Sequence, residues 1–98
     1  MNRTVKWDNI ARLQLREAYN YIKKDSLVNS EKVRKEILSA SRLLAAHPEK
    51  YPADKYKLSN DGSYRAFELY HYRIAYRILK IEIKIISLRH TSMEPLDY

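Results

Sequence analysis

Along the chain the spacing of hydrophobic positions changes from two to between three and four, then back to two. In residues 3–7 (RTVKW), Val5 and Trp7 alternate with Thr4 and Lys6, which predicts a short strand suited to a sheet edge or a first position. Asp8 follows as an N-cap for a helix predicted from about residue 9 to residue 24, in which Ala11, Leu15, Ala18 and Ile22 recur along one stripe. Arg12, Arg16, Lys23 and Lys24 fall mostly off that stripe and read as a solvated face. Residues 25–29 (DSLVN) break the period. Ser30 is then the expected cap of a second helix with Val33, Ile37, Ala40 and Leu44 on its apolar stripe. That helix is expected to stop near His47, because Pro48 disfavours helical geometry in the residue before it. So short a connector implies an antiparallel helical hairpin, whose joint apolar surface needs a sheet to cover it.

Residues 47–63 hold two of the three prolines and the single glycine, so they read as a long surface loop that turns into the sheet at Gly62. Period two returns over residues 64–90 and predicts three consecutive strands. In the first, Arg65, Phe67 and Leu69 share one face, and Tyr64, Ala66, Glu68 and Tyr70 the other. In the second, Tyr72, Ile74, Tyr76 and Ile78 face one way and Arg73, Ala75, Arg77 and Leu79 the opposite way. The third begins as clean alternation (IEIKI) and becomes apolar on both faces at Ile85, Ile86 and Leu88, the mark of a central strand. It is expected to lie in the middle of the sheet beside the N-terminal strand. The remaining tail, TSMEPLDY, is polar, and Pro95 argues against a regular helix there. The order is α+β: an N-terminal strand, an antiparallel helical hairpin, then a three-stranded antiparallel meander. Together they form one sheet with the helices on one face and the other face partly open.

The 98 residues allow one domain, spanning residues 1–98, with one core. With no cysteine there is neither a disulfide framework nor a thiolate metal site, and a cytoplasmic home is expected. No apolar run nears the roughly 20 residues that cross a bilayer, and the first residues lack a signal-peptide core, so neither export nor a membrane is expected. Nineteen Lys and Arg against twelve Asp and Glu leave a net charge of +7, which favours a polyanionic partner, nucleic acid or an acidic protein. Nine tyrosines add rings that suit base stacking or a protein interface.

A single glycine rules out a glycine-rich phosphate loop, and no HExxH or paired-histidine spacing is present, so no metal or other cofactor is expected. The candidate chemistry gathers on the strand face that carries Arg73 and Arg77, with Ala75 as a shallow floor between them. Glu68 and Tyr70 are placed to face the same way from the neighbouring strand, and Arg89 and His90 arrive at the end of the last. A phosphodiester suits such a surface: guanidinium binds phosphate bidentately, and His, Glu or Tyr can move protons. Arg65, Arg77, Tyr70 and the loop lysines Lys55 and Lys57 are the candidate nucleic-acid contacts. The plain alternative is that the arginines keep an open sheet face soluble.

The element order, HPEKYP after the second helix, Tyr64-Arg65, the YRIAYRI strand and the terminal LRHTSMEP together resemble the RelE/ParE superfamily of type II toxin–antitoxin toxins, over essentially the whole chain. The resemblance implies one of two activities. RelE-like members cut messenger RNA, usually on the ribosome, by promoting attack of a 2′-hydroxyl on the adjacent phosphate; ParE-like members are not nucleases and poison DNA gyrase. The nuclease branch is put first, with Arg73 on the scissile phosphate, His90 as general acid or base, and Arg89, Tyr98 and Glu68 as further catalytic candidates. The lysines that RelE-type members carry before the YRI segment have no counterpart, since Tyr64 and Ala66 stand there; Glu49 and Asp54 are loose candidates for a loop carboxylate used as base. A non-toxic nucleic-acid-binding module is the third reading. The resemblance also implies a cognate antitoxin that wraps the basic surface.

Overall fold

The structure, a computed structural model, describes residues 2–93 and 95–98. Six elements follow the expected order: β1 (Thr4–Trp7), α1 (Asn9–Lys23), α2 (Leu27–Leu43), β2 (Tyr64–Leu69), β3 (Tyr72–Ile78) and β4 (Glu82–His90). The sheet order is β1-β4-β3-β2, with β1 parallel to β4 and the other pairs antiparallel. β4 is thus a central strand beside the N-terminal one, as its apolar run predicts. The helical hairpin covers one face, and its stripe of Ala11, Ala18, Val33, Ile37 and Leu44 packs on Phe67, Tyr72, Ile74, Tyr76, Ile83, Ile85 and Leu88. No helix among the described residues is long and apolar enough to cross a membrane.

Two local expectations are corrected. Asp8 occupies the N-cap position of α1, but its side chain makes no capping bond; its carbonyl accepts from the Arg12 N–H instead. The second helix begins at Leu27, one turn before the expected start, because Ser26 and not Ser30 caps it, with Ser26 Oγ accepting from Asn29 N–H at 3.1 Å. α1 ends in tight turns in which the Asp25 and Ser26 amides both bond the Ile22 carbonyl, and this leaves Ser26 extended and free to cap. Ser30 lies within α2, fully buried, its hydroxyl bonded back to the Leu27 carbonyl. The second sheet face, expected to be partly open, is half roofed. Ala66 and Ala75 on that face are 4% exposed beneath the loop around Asp54 and Tyr56 and the tail ending in Tyr98.

The alternation of β4 is interrupted. Tyr76 pairs Ile85 whereas Ala75 pairs Ser87, so Ile86 is an extra residue, a β-bulge. It explains the two-sided apolar run: Ile85 and Leu88 both point to the core, although an unbroken ladder would send them to opposite faces. The sheet's borders are also closed locally. β2 is flanked by the loop, through an Ala53–Arg65 bridge and an Asp54 N–H to Tyr64 carbonyl bond of 2.8 Å. Where β1 has ended, Gln14 Oε1 of α1 accepts from the Leu88 N–H of β4 at 2.7 Å. The β2–β3 turn is formed by Tyr70 and His71, both at positive φ (53° and 67°), a conformation that usually takes Asn-Gly.

Candidate functional site

Register alone builds the centre of the roofed face. Glu68 on β2 pairs Arg73 on β3, which pairs Arg89 on β4, so the three form one row across the sheet. Arg73 is held on three sides. Its Nη2 lies 2.8 Å from Asp54 Oδ1, its Nη1 lies 3.2 Å from Glu68 Oε2, and its guanidinium sits 4.8 Å from the Tyr56 ring centre. Asp54 comes from the loop and is 3% exposed. It also accepts from the Tyr98 hydroxyl at 2.7 Å and the Tyr56 N–H at 3.0 Å. Burial alone would raise the Asp54 carboxyl, but these bonds from Tyr98, Arg73 and Tyr56 outweigh it and hold it below its ordinary value. The same arrangement pushes the Tyr98 phenol up, through burial first and then the carboxylate it serves.

The tail is docked by backbone as well. Leu58 N–H donates to the Tyr98 carbonyl and Tyr98 N–H to the Tyr56 carbonyl, while Lys57 Nζ reaches the Tyr98 carbonyl at 3.2 Å. The Tyr98 ring meets Tyr64 edge-on, and Arg77 stacks over the far side of this cluster at 4.7 Å from the Tyr64 ring centre. Beneath the tail lies a cavity of about 330 Å³ lined by Ile10, Ala75, Ile86, Met93 and Leu96, with Arg73, Arg89 and Glu68 at its polar side.

The structure therefore brings Glu68, Arg73, Arg89, Arg77, Lys57 and Tyr98 to one face, with His90 at the border of the cavity, and turns other candidates elsewhere. His90 pairs Tyr72, a core residue, because the bulge at Ile86 inverts the facing of everything after it. Its ring meets Tyr72 edge-on at 5.1 Å and lies 6.3 Å from His71, and its Nδ1 accepts from the Ser92 N–H. Arg65 shares the face of Tyr76, where its guanidinium bonds the Gly62 and Tyr51 carbonyls and ties down the loop. Tyr70 leaves Glu68 altogether: its hydroxyl donates to Glu36 on α2, and Lys32 lies over its ring. Lys55 is exposed beside the Tyr56 ring. Glu49 is exposed and makes none of these bonds.

Sequence reasoning gave Asp54 only a minor place and missed Tyr56. Asp54 stands 19 positions before Arg73, and the pairing depends on a loop fold that no periodicity reports. Among the described residues no group of His, Cys, Asp or Glu is placed to hold a metal ion.

With this geometry in place, comparison with known proteins is specific. A family model described as the ParE toxin of type II toxin-antitoxin system, parDE, matches residues 5–95. Among solved structures, the chromosomal ParDE system from P. aeruginosa contains a similar chain at 18% identity and a TM-score of 0.70, over 90% of this chain and 95% of that one. The RelBE2 toxin-antitoxin complex from Mycobacterium tuberculosis gives 17% and 0.62, over 92% and 99%. The YoeB dimer from Staphylococcus aureus gives 18% and 0.57, over 92% and 98%. At these identities the structural likeness is one of fold. No curated protein sequence matches the chain.

Proposed function

Because the chain belongs to the ParE toxin family of type II toxin–antitoxin systems, we propose that this toxin acts by binding DNA gyrase and not by cutting RNA, and that a cognate antitoxin neutralises it. The observation that carries this reading is the state of Arg73. An arginine that stabilises a phosphorane must offer its charge to the substrate, whereas both ends of this guanidinium are engaged by carboxylates and its face rests on Tyr56. A phosphate would have to displace Asp54, which is buried and held by two further donors; loss of this pair costs about 2–3 kcal/mol, less than a wholly buried pair because Arg73 is partly exposed. The proton-transfer candidate His90 borders the same cavity, but it pairs Tyr72 and its ring meets the Tyr72 ring edge-on, so it does not stand in the row of Arg73 and Arg89. Arg73 is thus better suited to fixing the loop and tail as a shaped surface than to chemistry on a phosphodiester.

The nuclease reading has two observations of its own: the row of Glu68, Arg73 and Arg89, in which the Glu68 side chain is 57% exposed, and His90 at the border of the same cavity. Two assays on the full chain separate the readings. The expected outcome is inhibited supercoiling by gyrase, with accumulation of double-strand breaks and intact message on programmed ribosomes. Message cut at discrete positions beside unaffected gyrase would overturn the proposal in favour of the nuclease. Overproduction that leaves growth unchanged in the absence of an antitoxin would overturn both.

A further inference from the structure

The helical side of the molecule has a second basic feature, which the target of the toxin leaves unexplained. Where β1 meets both helices, a groove of about 410 Å³ is lined by Lys6, Trp7, Arg12, Arg16, Tyr19 and Arg34, among others. Arg12, Arg16 and Arg34 are exposed, and among the described residues none of them forms an ion pair. Among the described residues, none of the acidic groups nearby pairs these arginines. Glu31 accepts from the Tyr19 hydroxyl at 2.7 Å, and Glu82 lies 3.9 Å from Lys6 Nζ. On the other side of Arg34, α2 continues the surface with Lys35 and Arg42 along a second depression that also includes Glu31.

The residue types and their spacing identify the ligand. Arg12 and Arg16 stand one helical turn apart, about 6 Å along the axis, comparable to the spacing of successive phosphates along a strand, and Arg34 faces them from the second helix. Guanidinium groups match phosphate oxygens in planar pairs. The aromatic residues decide between duplex and single strand. Sites for single strands stack bases on open ring faces, but the half-buried Trp7 packs against the core and Lys23 Nζ lies over the Tyr19 ring, 5.9 Å from its centre, so the two rings do not form an open stacking platform. We propose that this groove binds the phosphodiester backbone of duplex DNA without reading its sequence. The groove lies on the helical side of the sheet, whereas Arg73 lies on the other, and the proposal stands whichever target the toxin poisons.

The test is fluorescence anisotropy of a short labelled duplex titrated with the full chain at several salt concentrations. Arg12→Ala/Arg16→Ala/Arg34→Ala keeps good helix formers in both helices and removes three charges from the groove. Lys24→Ala/Lys50→Ala/Lys80→Ala removes the same charge from exposed positions outside the groove. The groove variant is expected to bind at least about tenfold more weakly than this control, with a salt dependence shallower by about 0.9 for each phosphate that the groove no longer neutralises. Equal weakening by the two variants would overturn the groove. Tighter binding of a single strand than of the duplex, or equal displacement of the duplex by polyglutamate, would overturn the ligand. Melting temperature monitors folding, and if the triple variant melts early the three single variants replace it against the same control.

Discussion

Asp54 accepts from Arg73, Tyr98 and the Tyr56 amide at once, so its charge serves the loop, the strand and the tail together. Asp54→Asn should cost about 2–3 kcal/mol, below the roughly 3–5 kcal/mol of a wholly buried pair because Arg73 retains Glu68 and some contact with water. The pH dependence follows from the depressed carboxyl. Its contribution is fully present above the unfolded value near about 3.9 and is lost as pH falls through the lower folded value. Urea unfolding across the acid range should therefore show the unmodified chain and the Asp54→Asn variant converging in stability as pH falls. Parallel curves would mean that Asp54 contributes no charge-dependent stability.

At the scale of the elements, the bulge at Ile86 decides which residues can work together. It places Arg89 directly opposite Arg73 and sends His90 to Tyr72. Since the natural chain has no cysteine, the facing can be read chemically: Arg73→Cys/Arg89→Cys should form a disulfide under mild oxidation, and Arg73→Cys/Leu88→Cys, the pair that an unbroken ladder would place opposite, should not, because paired strand positions meet the required Cα separation and opposite faces do not. Free-thiol titration distinguishes the outcomes, and crosslinking of the second pair alone would refute the bulge. The bulge also marks what the sequence could and could not tell. The stripes of α1 and α2 and the central place of β4 were legible, because burial imposes period and composition on them. The start of α2 was not, since Ser26 and Ser30 both have the chemistry of a cap. Nor was the company of His90, because an extra residue in an apolar run leaves no signature distinct from burial on both faces.

Over the whole molecule the docked tail links the two ends of the sheet-forming half. Tyr98→Ala removes the hydroxyl that serves Asp54 and the ring that meets Tyr64. Amide exchange at Leu58, whose N–H donates to the Tyr98 carbonyl, should then quicken at least about tenfold, equivalent to about 1.4 kcal/mol, while Ile74 in β3 stays protected. Quickening at both positions would mean that the tail belongs to the global fold and does not open on its own. The closed borders of the sheet have a further consequence for the toxin's life once its neutralising partner has gone. β1 spans only four residues, loop residues occupy the flank of β2, and Gln14 takes the Leu88 N–H beyond β1. Exposed strand edges template aggregation. With these edges shortened or plugged, a liberated copy is expected to resist edge-to-edge aggregation.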